Sequence, residues 1–319
     1  MTELRRIDVH QHIVPPVWRS ALAERGLTSG GWAVPPWSPG AAMAMMDRQG
    51  IATGILSVTS PGTVLADGGS GPRLARAVNE FGAEVTAAHP DRFGMFASLP
   101  LPDVDAALAE AVYALDDLAA DGVVVMSNVH GKYLGDPDFE PLWQELDRRG
   151  ATVFVHPAQP PLPLLDGTPA PMADYVFDTT RAALNMTLNG VMDRYRALKV
   201  ILSHGGGFLP YAAYRFAGLE ATTVDPNRSA ESVLTDLKRF YFDTALAASP
   251  SSLPALLAFA EPGHVLYGSD WPFASEQAGS YFNGFLQDYH DLTPGRSADI
   301  ERGSAEVLFP RLAGTVLAR

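Results

Sequence analysis

The chain contains no cysteine among its 319 residues. Without a thiol, disulfide scaffolds, cysteine-ligated zinc fingers, iron–sulfur proteins and thiol-nucleophile enzymes are excluded. Any metal must therefore be held by His, Asp or Glu. Runs of Lys or Arg are also absent, and 23 basic residues stand against 36 acidic ones, for a net charge of −13. Such a chain lacks a basic surface for phosphate backbones or anionic membranes, so neither nucleic acid nor a membrane is expected as a partner.

Long apolar runs are missing as well, since nowhere do about 18 consecutive apolar residues occur. The N-terminal residues pass from Arg5 and Arg6 directly to Asp8 and His10, which differs from the pattern of a signal peptide. We therefore expect a cytoplasmic protein.

What the chain does have is a recurrence of short β-branched runs, separated by stretches with helical periodicity. The eight runs are 6–9, 52–58, 94–98, 123–126, 152–155, 200–202, 241–243 and 265–267. Helices are expected at 40–49, 73–88, 104–118, 139–149 and 179–198, with C-caps at Gly50, Gly122 and Gly150. Strand followed by helix, eight times over, predicts an α/β fold, a single (β/α)₈ barrel domain spanning residues 1–319.

Two segments rich in Pro and Gly, near residues 26–40 and 158–173, interrupt this alternation. Each follows a strand that carries a candidate ligand. We expect each of them to be an inserted loop that forms a wall or lid of an active site, or an ordinary surface loop.

In a barrel of this kind the active site lies at the C-terminal ends of the strands. The first strand ends in His10 and His12, whose side chains point to the same side because side chains alternate along a strand. The fifth, sixth and eighth strands end near His156, His204 and Asp270. Four such ends on one face predict a metal site, and three imidazoles with a carboxylate suit Zn²⁺, or else Mn²⁺ or another divalent ion.

One more histidine, His130, lies just past the fourth strand at the same end of the barrel and is a candidate substrate contact. The sequence holds no G-x-S-x-G nucleophile elbow, no P-loop and no G-x-G-x-x-G fingerprint. These absences argue against a serine hydrolase and against a nucleotide-binding fold.

The strand-end motifs together resemble those of the amidohydrolase superfamily. The resemblance rests on the His-x-His pair and on residues 154–157, 203–207 and 268–273, and it keeps their order over almost the whole chain. Within that superfamily the motifs look most like the decarboxylase branch typified by aminocarboxymuconate semialdehyde decarboxylase and the aromatic-acid decarboxylases. The stretches around 37–39, 134–137 and 178–181 are similar to 6-methylsalicylate decarboxylases.

This resemblance implies a ligand set and an acid–base residue. The metal ligands would be His10, His12, His156 and Asp270, with His204 beside a metal-bound water. Arg215 matches an arginine that binds the substrate carboxylate from a neighbouring subunit, which would require a homodimer or a larger homo-oligomer. The alternative for Arg215 is a solvated helix residue.

The chain departs from the family pattern at two places. The lysine that many members carry after the fourth strand has no counterpart near 123–126, so a mononuclear site is expected. The muconate decarboxylase pattern has an arginine shortly before a Trp-x-Pro segment, where this chain has the aromatic and apolar stretch 31–37. This favours a flat ring of low charge over a dicarboxylate.

The reaction that the resemblance implies is the non-oxidative decarboxylation of a small salicylate-type aromatic acid, with release of CO₂ by a carboxy-lyase. Asp270, hydrogen-bonded to His204, would supply the proton that replaces the carboxylate. Aromatic residues are candidates for covering the ring, namely Trp32, Trp37, Trp271 and Phe273.

Two alternatives stay open at this point. In one, His204 activates a metal-bound water that attacks a lactone or ester, which would make the protein a hydrolase. In the other, the metal is purely structural, since structural zinc sites have four protein ligands.

Overall fold

Eight parallel strands lie side by side in chain order and form one nearly closed barrel, as the strand–helix alternation predicts. The computed structural model describes residues 5–65 and 70–314. The strands are β1 Arg6–His12, β2 Ile51–Ser57, β3 Phe93–Ser98, β4 Gly122–Met126, β5 Thr152–His156, β6 Lys199–Leu202, β7 Tyr241–Asp243 and β8 Val265–Leu266. All eight predicted strands are present; seven lie within one residue of their expected bounds, and β1 extends three residues further than expected, to His12.

Helices surround this sheet. They are α1 Pro16–Glu24, α2 Pro39–Gln49, α3 Gly71–Ala88, α4 Val104–Asp116, α5 Glu140–Arg148, α6 Asp174–Leu188, α7 Val191–Arg194, α8 Leu209–Leu219, α9 Ala230–Lys238, α10 Ser252–Phe259, α11 Glu276–Asp288, α12 Pro294–Ala298 and α13 Ser304–Leu308. A short antiparallel ladder pairs Asn128–Val129 with Lys132–Tyr133 in the loop after β4. None of the helices in the described part of the chain is long and apolar enough to cross a membrane.

The barrel closes where its first and last strands meet. The backbone N–H of Val9 donates to the carbonyl oxygen of Tyr267 at 3.0 Å, and that of His12 donates to Trp271 at 2.7 Å. These hydrogen bonds bring the C-terminal ends of β1 and β8 to the same point of the rim. The predicted ligands of the two strands therefore share one end of the barrel.

The core has two layers, as expected for a barrel with helices outside. The inner layer fills the barrel with side chains from the strands, namely Ile7, Val9, Ile55, Phe96, Val124, Phe154, Ile201 and Leu266. Its lower end is closed by residues near the C-terminus, which are Ala305, Leu308, Phe309 and Leu312. The outer layer lies between the other faces of the strands and the helices.

Strand β1 contains an irregularity just before its histidines. Asp8 pairs with Gly54 and Gln11 with Leu56, so three steps along β1 match two along β2. Val9 belongs to the inner layer, and the ring of His10 also contacts the inner residue Phe154, with centroids 4.9 Å apart. The extra residue therefore lets two sequence neighbours face the barrel interior, which is how bulges redirect side chains next to active sites.

Two of the sequence expectations for helices are wrong. The predicted helix 179–198 is split into α6 and α7, because Gly190 adopts a left-handed φ of 74° between them. Gly122 does not cap α4, which ends at Asp116; it is the first residue of β4. A Cβ at Gly122 would lie 2.3 Å from the carbonyl oxygen of Thr152, so close strand pairing requires the glycine there.

Candidate metal centre

Four side chains meet at the C-terminal rim of the barrel. One ligand atom from each of His10, His12, His156 and Asp270 lies within 4.8 Å of the other three. All four residues are buried, and the two histidines of β1 are inaccessible to solvent. The same four residues that the family resemblance implies as ligands are thus brought together by β1, β5 and the turn after β8.

The side chains of His10 and His12 face each other directly. Their Nε2 atoms are 3.1 Å apart, and these atoms lie 3.4 Å and 2.9 Å from Oδ1 of Asp270. Nitrogen and oxygen donors converging on one buried point are what a divalent transition metal or Zn²⁺ requires. The donor set therefore fits a divalent metal.

Each histidine of this four-residue group is held through its other ring nitrogen. Nδ1 of His12 donates to the carbonyl oxygen of Ser57 at 3.1 Å, and Nδ1 of His156 donates to that of Pro157 at 2.8 Å. A carbonyl oxygen can only accept, so the proton of each ring is on Nδ1 and the Nε2 lone pair faces the centre. Burial lowers the pKa of His12 and lowers that of His156 well below its usual value, which keeps both imidazoles in the neutral form that binds metals.

His10 differs because its Nδ1 donates to a carboxylate, Oδ2 of Asp243, at 2.6 Å. Burial alone would lower the pKa of His10, but the charges of Asp243 and Asp270 outweigh it and raise the pKa to about 10. Burial would likewise raise the pKa of Asp270, but its hydrogen bonds with His10 and His12 bring it well below the ordinary value. Metal binding at this point therefore requires that His10 first lose its Nε2 proton.

Asp8 links β1 to the turn after β8 by hydrogen bonds, at the place where the first and last strands of the barrel meet. Its Oδ1 accepts from the backbone N–H groups of His10 and Ser269 at 3.1 Å and 3.0 Å. Its Oδ2 accepts from the Ser269 hydroxyl at 2.6 Å and from Gln11 at 3.0 Å. Burial raises the pKa of Asp8 to about 6 in spite of these hydrogen bonds. The carboxylate thus fixes the backbone next to two expected ligands at once.

His204 stands beside the four-residue group without belonging to it. Its ring centroid is 4.9 Å from that of His10, and its Nδ1 donates to the carbonyl oxygen of Ala245 at 3.0 Å. The backbone there has a left-handed φ of 54°, and its N–H donates to Oδ1 of Asp243 at 2.8 Å. The expected hydrogen bond between His204 and Asp270 is not formed, because Nδ1 is already engaged and Asp270 is turned to the histidines of β1.

The glycines after His204 are required by close packing. A Cβ at Gly207 would lie 2.0 Å from the carbonyl oxygen of Val176 on α6, and the φ of Gly207 is +64°. A Cβ at Gly206 would lie 2.8 Å from the ring of Phe242. The turn can therefore press against α6 and β7 and still present the imidazole to the centre.

A cavity of about 270 Å³ opens onto the centre. His156, His204 and Asp270 form its ionisable part next to the centre. Ser29 and Thr59 also line it, and the rest is mostly apolar and aromatic, including Trp32, Met172, Tyr175, Leu246, Phe273 and Phe282. The ring of Phe273 meets that of His12 edge to face, with centroids 5.5 Å apart. A flat, small aromatic molecule suits this space.

The other predicted substrate contacts lie elsewhere. Trp37 packs edge to face against Phe81 on α3, with centroids 6.4 Å apart, because the chain turns into α2 two residues later. His130 is exposed at the edge of a neighbouring cavity. Arg215 is exposed on α8 and does not line the cavity at the centre. Both Pro- and Gly-rich loops do contribute to the cavity, through Trp32 and Met172.

Sequence reasoning missed three residues of the site: Asp243, Asp8 and Tyr175. Asp243 ends β7 in the same way as the predicted ligands end their strands, so the rule applied to the other strand ends would have found it. Asp8 precedes the His-x-His pair, but nothing in the sequence shows that it bridges to Ser269. Tyr175 lies near the start of α6 and carries no recognisable motif.

Comparison with known proteins identifies similar chains over nearly the full length. The family model described as amidohydrolase matches residues 7–311. The chain is 41% identical over 319 residues to a 6-methylsalicylic acid decarboxylase from Penicillium expansum, covering 98% of this chain and 98% of that protein. It is 30% identical over 259 residues to a gamma-resorcylate decarboxylase from Rhizobium radiobacter, covering 76% of this chain and 79% of that protein. A crystal structure described as an amidohydrolase II superposes with a TM-score of 0.89 at 32% identity, covering 96% of this chain and 99% of that one.

Proposed function

The chain belongs to the amidohydrolase family, and we propose that it removes CO₂ non-oxidatively from a small ortho-hydroxy aromatic acid of the salicylate type. It is a carboxy-lyase of the aromatic-acid decarboxylase group. The observation that carries the proposal is a buried His₃Asp donor set that opens onto a small aromatic-lined cavity, in a chain similar over its whole length to a 6-methylsalicylic acid decarboxylase. The lactone or ester hydrolase is not favoured.

The expected ligands are His10, His12, His156 and Asp270, and a divalent metal held by them would orient the substrate oxygens and offset their negative charge. We propose Zn²⁺ as the native ion, with Mn²⁺ as the alternative. The side chain of Asp243 fixes the ring plane of His10, and the carbonyl oxygens of Ser57 and Pro157 fix those of the other two histidines.

Decarboxylation breaks the bond between the ring and its carboxylate and leaves the electron pair on the ring carbon. That carbon must gain a proton when CO₂ leaves, so an acid has to stand at the same point of the cavity. Both His204 and Asp270 line the cavity and are our proposed catalytic pair. Because the pKa of Asp270 lies well below its usual value, Asp270 rests as a carboxylate and has no proton to give until it receives one. We propose His204, which lines the same cavity but is not hydrogen-bonded to Asp270 in the resting site, as the source of that proton.

The aromatic ring of the substrate would lie between Phe273 and the apolar wall. Phe273 and Trp32 both line the cavity, and aromatic faces bind a flat ring at low entropic cost. Trp37 and His130 do not line it, so any part they take in substrate binding is indirect.

Arg215 remains our candidate for the substrate carboxylate, acting from a second copy of the chain. In one copy it is exposed on α8, the helix that also carries the exposed Tyr211 and Tyr214, and it does not line the cavity. A role in binding therefore needs a homodimer or a larger assembly. The homodimer, the single-domain organisation of residues 1–319 with loops near 26–40 and 158–173, and the cytoplasmic location are proposals of the same kind.

The test is a CO₂-release assay on the purified chain loaded with Zn²⁺ or Mn²⁺. We expect CO₂ and 3-methylphenol from 6-methylsalicylate, and no release after the metal has been removed with a chelator. Simple lactones and aryl esters serve as the comparison substrates. Hydrolysis of those compounds without CO₂ release from any salicylate would overturn the proposal.

A further inference from the structure

A second cavity lies next to the one at the metal centre. Its volume is about 460 Å³, and it opens among the loops that follow β1 to β5. The side chains around it are largely apolar, including Leu27, Leu99, Leu101, Val124, Met126 and Val129. The reaction proposed above makes no use of this space.

Tyr175 is the residue that lines both cavities. Elsewhere along the boundary, sequence neighbours face opposite sides: Ser29 and Thr59 line the metal-side cavity, whereas Gly30 and Ser60 line the second one. In those two segments the boundary between the cavities is formed by backbone and small side chains. The Tyr175 ring is therefore the one large side chain of the described residues that stands between the two cavities.

The position of the ring is fixed by packing. Tyr175 is only 5% exposed, and its ring stands edge to face with that of His156, with centroids 6.4 Å apart. On the other side the chain comes so close at Gly30 that a Cβ there would lie 2.7 Å from the Tyr175 hydroxyl oxygen. The φ of Gly30 is +59°, so glycine suits that position for its backbone as well.

The hydroxyl group of Tyr175 does not hold the ring in place. It lies beside the side chain of Ser60, but within the described residues it makes no hydrogen bond of normal geometry. A phenylalanine at this position would keep the same ring between the same neighbours. The separation of the two cavities thus depends on the ring, and the polar group can be removed without opening it.

We infer that Tyr175 sets the size limit for the ring substituent of the substrate, by closing the metal-side cavity against the second, apolar one. This rests on the proposed function. A methyl group on the ring of a salicylate fits within the metal-side cavity of about 270 Å³. A longer alkyl chain has to pass the plane of Tyr175, and the apolar lining beyond it would accept such a chain once the ring is gone.

The experiment compares Tyr175→Ala with Tyr175→Phe and with the unaltered metal-loaded enzyme. Each is assayed for CO₂ release from 6-methylsalicylate and from 6-pentylsalicylate. For Tyr175→Ala we expect the ratio of kcat/KM for the pentyl over the methyl substrate to rise by at least about tenfold, the discrimination that a few methylene groups give in an apolar pocket. Tyr175→Phe keeps the ring and should leave the ratio unchanged.

A variant that is merely damaged loses activity on both substrates. Removal of the Tyr175 ring as the partition between the two cavities instead raises kcat/KM for the pentyl substrate. Tyr175→Leu, which leaves a smaller gap, is the second variant in case Tyr175→Ala does not fold. An unchanged ratio in Tyr175→Leu or Tyr175→Ala, or equal turnover of both substrates by the unaltered enzyme, would overturn the inference.

Failure of the proposed function would look different. In that case the unaltered enzyme would release no CO₂ from 6-methylsalicylate, and the partition is then examined by calorimetric binding of 3-methylphenol and 3-pentylphenol. Tighter binding of the pentyl compound by Tyr175→Ala than by Tyr175→Phe supports the partition independently of the reaction. Equal binding by the two variants contradicts it.

Discussion

The Nδ1 atom of His10 lies 2.6 Å from Oδ2 of Asp243, and both side chains are fully buried. The other carboxylate oxygen, Oδ1, accepts from the backbone N–H of His204 at 2.8 Å and from that of Ala245 at 3.0 Å. One carboxylate therefore positions a proposed metal ligand and the proposed acid–base residue together. Metal binding and proton transfer should both depend on it.

The first prediction is that replacement of the Asp243 carboxylate weakens metal binding. In Asp243→Asn the amide NH₂ group must face either the N–H of His10 or that of His204, so one donor loses its acceptor. We expect the dissociation constant for Zn²⁺ to rise roughly 10- to 100-fold, measured by competition with a chromophoric chelator. Asp121→Asn is the control, since Asp121 is also a poorly exposed carboxylate but binds Arg311 below β4. Equal Zn²⁺ affinities in the two variants would show that Asp243 does not position the ligand.

The second prediction separates metal binding from catalysis at His204. Because His204 lies outside the four-residue donor group, His204→Asn should keep its bound metal, as measured by elemental analysis. Its kcat should fall by about 10²- to 10⁴-fold, the usual contribution of a general acid. His264→Asn is the control, because that ring stacks on Tyr241 at 3.9 Å, at the opposite end of the strands. Loss of the metal from His204→Asn would instead make His204 a ligand.

Two tryptophans five residues apart should behave differently. Trp32 lines the cavity, so Trp32→Ala is expected to raise KM for the aromatic acid several-fold while the melting temperature changes little. Trp37 is half-buried against Phe81, so Trp37→Ala should lower the free energy of unfolding by roughly 2 kcal/mol, less than for a fully buried ring. Steady-state kinetics and urea unfolding of both variants check this, and a KM effect confined to Trp37→Ala would refute the placement.

An ion cluster on α5 gives the chain a pH dependence at the acid end. Hydrogen bonds from Arg148 and then Arg149 lower the pKa of Glu145 from 4.5 to about 2. A carboxyl group whose pKa is lower in the folded than in the unfolded chain stabilises the fold at pH values above its unfolded pKa. The contribution of Glu145 to the free energy of unfolding is therefore complete above pH 4.5 and is lost as the pH falls through about 2. Since the group is partly exposed, we expect Glu145→Gln to cost only about 1 kcal/mol at neutral pH.

The measurement for Glu145 is urea unfolding at several pH values. The difference in the free energy of unfolding between Glu145→Gln and the unaltered chain should shrink steadily as the pH falls from 4.5 to 2. Glu84→Gln, at an exposed position on α3, should show no such trend. A difference for Glu145→Gln that is independent of pH would contradict the ion-pair explanation.

The sequence carried most of the information about the barrel and its rim. Parallel strands in a barrel end on one face, so residues that follow apolar runs, such as His156 and Asp270, had to approach each other once eight runs were recognised. The glycines after His204 could be aligned with a family pattern, although only the fold shows that Gly207 makes room for α6. The fold and the convergence of these strand ends thus follow from periodicity and position, whereas the choice of the four ligands, with His204 beside them, came from the family resemblance.

What could not be predicted depends on backbone detail and on loops. Val9 and His10 both face the interior because of an extra residue in β1, and strict alternation does not foresee that. Whether Trp32 or Trp37 faces the cavity depends on how one Pro- and Gly-rich loop turns before α2, which no local pattern determines. The wall formed by Tyr175 requires α6 and the loop after β1 to be packed together before it exists.

The seam between β1 and β8 also has a consequence for the order of folding. Asp8 and His10 lie near the beginning of the chain, and Ser269 and Asp270 more than 250 residues later, yet they are hydrogen-bonded neighbours. Contacts of such sequence separation form slowly and late. A nascent chain that still lacks β8 cannot assemble the donor set, so tight metal binding indicates that the chain has been synthesised past Asp270 and that β8 lies beside β1.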